Sequence, residues 1–168
     1  MRWMMLLVVL SACRTKPTLP PYSLVGDCTQ AELSAVSVYA GETTELGAGV
    51  LAVDPPRDLP VGRITDPVAY QAIQDFVGQP LAAVDFSQSA VLFATAWAPE
   101  TCGFSDSSVT VFDRDGKPVL LASAIDPTGT CTANCPDGQV FWAAVTVPVT
   151  QQGSACGLVV QSCVVTEE

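Results

Sequence analysis

Residues 108–124 read SVTVFDRDGKPVLLASA, and this stretch predicts a β-hairpin. Val109, Val111 and Asp113 lie on one face of its first half and the residues between them lie on the other, as in a half-buried strand. In the middle, Asp115-Gly116 tolerates the positive φ angles of a two-residue type I′ turn. We therefore expect strands 108–113 and 118–124 to pair antiparallel.

Similar apolar runs, separated by Gly, Pro, Asp and Ser, recur along the chain at the spacing of short strands. The other candidate strands are 35–39, 48–53, 90–96, 140–147 and 158–165. They predict a mainly β fold, either an antiparallel β-sandwich or a partly open barrel. Strand spacing does not distinguish these two architectures.

One helix is predicted to interrupt the strands. Asp66 suits the N-cap, Pro67 suits the first helical position because its missing N–H needs no partner, and Gly78 suits the left-handed C-terminal position. The residues expected on its buried face are Val68, Ala72 and Phe76, with Ala69 and Ile73 beside them. This helix should pack on a sheet.

The N-terminus has the pattern of a bacterial lipoprotein signal. Residues 1–12 hold one positive charge, an apolar run and two small residues before Cys13, and they are shorter than the ~20 apolar residues that a membrane-spanning helix needs. The alternative is a buried N-terminal strand or helix. We expect cleavage before Cys13, fatty acyl chains on its sulfur and amine, and anchoring in the cell envelope. Arg14 rather than Asp after the anchor favours the outer membrane.

The domain organisation follows from this cleavage. Residues 13–27, with several prolines, are expected to be a lipidated tether, and residues 28–168 a single β-rich domain. The full chain has 7 Lys plus Arg against 17 Asp plus Glu; without Arg2 the formal charge becomes 6 − 17 = −11. Nucleic acid is therefore a poor partner, and the chain has no Gly-rich phosphate loop for a nucleotide.

Six cysteines remain after Cys13, and an even number in an exported protein predicts three disulfides with 15 possible pairings. They are Cys28, Cys102, Cys131, Cys135, Cys156 and Cys163. A bridge between Cys131 and Cys135 is the first local candidate, since both lie in a turn-rich stretch. A zinc site is the alternative, but the chain has no histidine and no second matching cysteine pair.

Residues for catalysis are scarce, and no catalytic residue, metal site or cofactor is predicted. Without histidine, Ser-His-Asp and Cys-His sites are excluded, and the lysines Lys16 and Lys117 fall in the tether and in a turn. A hydrolase using paired carboxylates is the enzymatic alternative, with two acids expected roughly 5–10 Å apart. Its candidate acids are Asp85, Glu100 and Asp106. Asp85 is also expected to accept hydrogen bonds from backbone donors at the turn into the strand that follows it.

Aromatic residues are the remaining candidates for binding. Trp97 lies where a strand meets a loop and Phe104 follows in that loop, so both are candidate contacts for a partner protein. Trp142, among apolar neighbours, is expected in the core.

From about residue 64 to residue 148 the order of features resembles the C-terminal domain of the PrcB protease-complex subunit family. The features are the short helix, Val84-Asp85-Phe86-Ser87 before an apolar strand, the turn Thr101-Cys102-Gly103-Phe104, the Asp115-Gly116 hairpin, and a cysteine-bearing loop before Val145-Thr146-Val147-Pro148. The chain departs from the family at Asp137-Gly138-Gln139-Val140-Phe141, where a Thr-Gln-Pro-Tyr type segment is expected. The resemblance implies a non-catalytic lipoprotein that accompanies a surface protease.

The sequence thus predicts a binding or accessory module of the cell envelope, held to the membrane by acyl chains and associated with an envelope protein or protease. The alternatives are the paired-carboxylate hydrolase and a purely structural envelope component.

Overall fold

The computed structural model describes residues 22–26, 28, 37–52, 59–98, 101, 103–126 and 138–161, which form nine strands and one helix. The elements are β1 (Tyr22–Gly26), β2 (Ser37–Val38), β3 (Thr44–Ala52), β4 (Gly62–Ile64), α1 (Pro67–Val77), β5 (Ser89–Ala98), β6 (Asp106–Arg114), β7 (Lys117–Asp126), β8 (Gln139–Pro148) and β9 (Ser154–Gln161).

The strands form two separate sheets, so the mainly β prediction is confirmed and the architecture is an open sandwich rather than a barrel. The five-stranded sheet has the order β1-β9-β7-β6-β2, and the four-stranded sheet has the order β3-β8-β5-β4. All pairs in the described ranges are antiparallel except β7 with β9. This exception arises because the chain crosses to the other sheet as β8 before it returns, so β7 and β9 run in the same direction.

The predicted hairpin is confirmed. β6 pairs with β7 from Asp106↔Ile125 to Arg114↔Lys117. Asp115 has φ 53° and Gly116 has φ 77°, the two positive angles of a type I′ turn. The Gly116 N–H donates to Asp113 Oδ1 at 2.8 Å, so this carboxylate stabilises the turn.

The core between the sheets is built mainly from small side chains. Its buried members are Ala90, Leu92, Ala94, Ala96 and Ala98 of β5, Leu120, Ala122 and Ala124 of β7, Phe141, Ala143, Val145 and Val147 of β8, and Ala155 and Val159 of β9. Because eight of these fourteen are alanine, the layer is thin. The two sheets approach closely where Gly157 of β9 meets the backbone of Thr95 in β5.

The directions of the strands define two ends of the sandwich. Gly153 lies against Leu92 and Gly157 against Thr95, so β5 and β9 run the same way. β3 runs with them because both β3 and β5 pair antiparallel with β8. We call the end where β3, β5 and β9 begin the upper end, and the end where they finish the lower end.

Helix α1 covers the outer face of the four-stranded sheet, and its predicted termini are confirmed. Asp66 Oδ1 accepts hydrogen bonds from the N–H groups of Val68 (3.0 Å) and Ala69 (2.9 Å), and Gly78 is left-handed at φ 69°. The helix packs with the apolar segment that follows it on Phe93 and Trp142.

The predicted buried face of α1 is confirmed at Ile73, which is buried, and at Phe76, which packs on Phe93, but it is wrong at Val68 and Ala72. The buried residues are Tyr70, Ile73 and Val77, whereas Val68 is 79% exposed and Ala72 is also exposed. The Tyr70 hydroxyl donates to the carbonyl of Ala82 at 2.7 Å, which lets the large ring be buried with its polar atom satisfied. The burial of Tyr70 and Val77 thus rotates the buried face of the helix away from Val68 and Ala72.

The tether boundary also needs correction. Residues 22–26 were expected in the tether, but they form β1 and pair with β9 from Tyr22↔Val160 to Gly26↔Cys156. The folded domain thus includes Tyr22. A five-residue edge strand is stabilised by its neighbour rather than by its own composition, so its sequence carries little signal.

One disulfide joins Cys28 to Cys156, with 5.7 Å between the Cα atoms and a sequence separation of 128. It ties the segment after β1 to the outer face of the five-stranded sheet, beside Phe112 and Val119. The other four cysteines, with the Cys131–Cys135 candidate, lie outside the described residues, as does Cys13.

Candidate functional site: the free edge of strand β3

Strand β3 is the longest unpaired sheet edge in the described part of the chain. It is the terminal strand of the four-stranded sheet, and β8 is its partner on one side. It has nine residues, whereas the other terminal strands β1, β2 and β4 have five, two and three. Its second side therefore presents a row of backbone N–H and C=O groups that a further strand can pair with.

The sequence of β3, TELGAGVLA, protects this edge at its upper end alone. Sheet edges are commonly protected by lysine, proline, a bulge or an inward-facing charge. Here Glu45 supplies a charge, and the register shifts between Glu45 and Gly47. From Leu46 to Ala52 the strand has no charged residue and no proline, so this part of the edge accepts backbone pairing.

Two glycines, Gly47 and Gly49, allow strand β3 to pack closely against Trp142. A Cβ atom at Gly47 would lie 3.2 Å from Trp142 Cη2, and one at Gly49 would lie 3.1 Å from Trp142 Nε1. The indole is buried and stacks on Phe93 with 6.1 Å between ring centroids. The glycines are thus needed for the close approach of the indole, and they leave the outer face of β3 without side chains at two positions.

The inner face of β3 is only partly covered. Val50 pairs with Phe141, a member of the core between the sheets, yet Val50 is 48% exposed. β5 lies over β9 and β8 lies over β7, so β3 extends past the closest part of the sandwich. An exposed apolar side chain therefore adjoins the free backbone edge.

A polar cleft of about 300 Å³ adjoins the upper end of this edge. Its lining residues are Glu42, Thr43, Thr44, Gln88, Ser89, Thr146, Val147 and Pro148. The lining includes one carboxylate and no cationic side chain. Together with Glu45 it makes the upper end of the edge acidic, whereas the lower part is uncharged.

The candidate acids of the alternative hydrolase are not brought together. Asp85 precedes β5 at the upper end, while Asp106 begins β6 beside Ile125 at the lower end. A ten-residue strand such as β5 separates the two ends by roughly 30 Å. Glu100 lies outside the described residues.

Asp85 has a local structural role, as expected from its position before the strand. Its Oδ1 accepts hydrogen bonds from the Ser87 N–H (2.9 Å) and hydroxyl (2.7 Å), and Val84 and Phe86 pack on the core beneath α1. The Ser87 hydroxyl, followed by the Ser87 backbone N–H, holds the pKa of Asp85 below its ordinary value. The folded state therefore favours the ionised form, and this preference is lost as the pH falls through the folded pKa.

We expect Ser87→Ala to raise the pKa of Asp85 toward its ordinary value, because the hydroxyl is the first cause of the lowering. NMR titration of the side-chain carboxyl carbons measures this change. Ser107→Ala serves as the control, since Asp106 accepts from the Ser107 backbone N–H rather than from its hydroxyl. An unchanged Asp85 pKa in Ser87→Ala would contradict the assignment.

The two aromatic candidates lie on different sides of the sandwich. Phe104 is half-buried against the core between the sheets. Trp97 is half-buried at the lower end of β5 and paired with Val140, and none of the residues that the structure describes forms a hydrogen bond with its buried Nε1. The structure does not bring the two rings together, and their role in partner binding stays a prediction.

The free β3 edge was not among the predicted site residues. The available signal was the uncharged run from Leu46 to Ala52, which predicts a strand but not its place at a sheet edge. A second feature missed by sequence is a buried polar pair at the lower end, where the Thr101 hydroxyl donates to Asp126 Oδ1 at 3.0 Å.

Within the described ranges, no cluster of three or more His, Cys, Asp or Glu side chains is arranged to hold a metal ion. None of the helical residues described here forms a span long and apolar enough to cross a bilayer.

No protein-family model, curated protein or solved structure matches the chain.

Proposed function

We propose that this chain is a lipid-anchored accessory protein of the bacterial cell envelope, which binds a partner protein through the free edge of β3 and catalyses no reaction itself. The single observation that carries the binding role is the nine-residue edge of β3, which no strand of the described ranges pairs with and whose lower part is uncharged. Strand addition at such an edge is a common mode of protein recognition, in which backbone hydrogen bonds provide affinity.

The anchoring role is supported by the N-terminal sequence and by the disulfide. The apolar run before Cys13 has the features of a lipoprotein signal. The Cys28–Cys156 bridge is typical of proteins that mature in an oxidising compartment. The resemblance to the PrcB family supports a surface protease as the class of partner.

The binding role predicts that Val50→Lys weakens partner capture at least about tenfold, because it places a cation on the edge and removes the exposed apolar contact. Val68→Lys is the matched control, since it makes the same exchange at a 79% exposed valine on helix α1. The measurement is quantitative mass spectrometry of proteins that co-purify with each acylated variant from cell envelopes.

Equal recovery of every co-purifying protein with Val50→Lys and Val68→Lys would contradict the binding role. The anchor is tested separately by intact-mass analysis of the native protein. An unprocessed and unacylated chain would contradict lipid anchoring without affecting the comparison of the two lysine variants.

A further inference from the structure

We propose that the β3 edge binds an extended segment of a different protein, antiparallel to β3, whose C-terminal end carries lysine or arginine. This inference rests on the proposed function, which it makes specific. It is based on two features of the chain: where the anchor joins the sandwich, and the distribution of charge along the edge.

The position of the anchor argues against a second copy as the occupant. Tyr22 starts β1 at the lower end, opposite Val160, and nine residue steps from Cys13 span at most roughly 30 Å. Two copies joined antiparallel through β3 would direct their lower ends in opposite directions. Strands of ten residues make the sandwich about 33 Å long. If one copy stood upright on the membrane, the tether of the inverted copy would start at the far end of the sandwich and would be too short to reach the membrane.

Both anchors would reach one membrane only if the paired sheets lay flat on it. That arrangement brings two processed chains, each of formal charge 6 − 17 = −11, against the anionic lipids of the membrane. A segment of another protein has neither constraint, because it brings no second anchor at the opposite end.

The charge along the edge selects the chemistry and the direction of the segment. Glu45 and Glu42, the one carboxylate of the cleft, make the upper end acidic, whereas Leu46 to Ala52 are uncharged. A complementary segment is therefore uncharged along most of its length and cationic at one end. Because antiparallel pairing is the more stable arrangement, the cationic end beside the start of β3 is the C-terminal end of the segment.

Synthetic peptides test this proposal on the complete acylated protein in detergent micelles. The first probe is acetyl-Thr-Val-Thr-Phe-Thr-Val-Thr-Lys-Lys-amide. The second has the two lysines at its N-terminus, and the third is the first with N-methyl groups on alternate backbone amides. Binding is measured by NMR titration, and hydrogen exchange locates the contact.

The first peptide is expected to slow amide exchange within residues 46–52 at least about tenfold. The second should bind about 3- to 10-fold more weakly, in line with the modest strength of two exposed ion pairs. The N-methylated peptide should bind measurably more weakly than the first, because its methyl groups block hydrogen bonding along one edge of the extended peptide. In the protein, Val50→Lys should weaken binding of the first peptide, whereas Val68→Lys should not.

Three results would overturn the proposal. Equal binding of the first and second peptides would refute the assigned direction and charge. Protection of β1 or β2 instead of β3 would refute the site. A dimer in sedimentation analysis, with β3 amides protected before any peptide is added, would assign the edge to a second copy. Peptide binding without any selective envelope partner would instead contradict only the proposed function.

Discussion

Removing the Cys28–Cys156 bridge by the double substitution Cys28→Ala, Cys156→Ala is expected to lower the free energy of unfolding by about 2–5 kcal/mol. The two cysteines are separated by 128 positions, so the bridge closes most of the chain into one loop. A cross-link over so long a loop restricts the unfolded ensemble strongly. Both cysteines are also buried, beside Phe112 and Val119, so the alanines leave a cavity.

Thermal unfolding followed by circular dichroism measures this effect, and the midpoint should fall by roughly 5–20 °C for a chain of this size. Leu121→Val is a suitable control, because Leu121 packs on the same cluster without taking part in the bridge. We expect this conservative change to shift the midpoint much less. A double variant that unfolds within one degree of the parent protein would show that the bridge is dispensable.

Gly157→Ala is expected to destabilise the sandwich by more than about 3 kcal/mol, at the upper end of overpacking effects. A Cβ atom at this position would overlap the carbonyl group of Thr95 in the opposite sheet. The added Cβ of one strand would overlap backbone atoms of the other, and backbone moves less readily than the end of a flexible side chain. The two sheets would have to separate, which would loosen the thin alanine-rich core.

Two other glycines provide matched controls for this substitution. Gly78 and Gly116 have positive φ angles but open space where a Cβ would be added. Alanine at either position should therefore cost only about 1–2 kcal/mol, from backbone strain. Denaturant titration of the three variants separates the two causes. If Gly157→Ala loses no more stability than Gly116→Ala, the sheets are not in close contact at that point.

Local features of the fold could be predicted from sequence because local chemistry determines them. The Asp115-Gly116 turn needs positive φ at two adjacent residues, and helix α1 needs acceptors and conformations that Asp66 and Gly78 supply. Asp85 was likewise expected to accept hydrogen bonds at the turn into β5, and it does.

Features that depend on a distant partner could not be predicted in this way. β1 forms because β9 lies beside it, and the parallel pairing of β7 with β9 requires β8 to cross to the other sheet. The choice of Tyr70 over Val68 for the buried face of α1 depends on a hydrogen bond to Ala82. Six cysteines allowed 15 pairings, and the one shown depends on where the sheets place Cys28.

The candidate site illustrates the same division. The amino-acid sequence by itself predicted a strand at 48–53 and showed that residues 46–52 carry no charge. Only the tertiary structure decided that this strand ends a sheet, with no described strand pairing on its second side and with Val50 beyond the cover of the opposite sheet. The physical reason is that a strand's own residues specify its conformation, whereas the number of its neighbours is set by how the whole chain distributes its strands between two sheets.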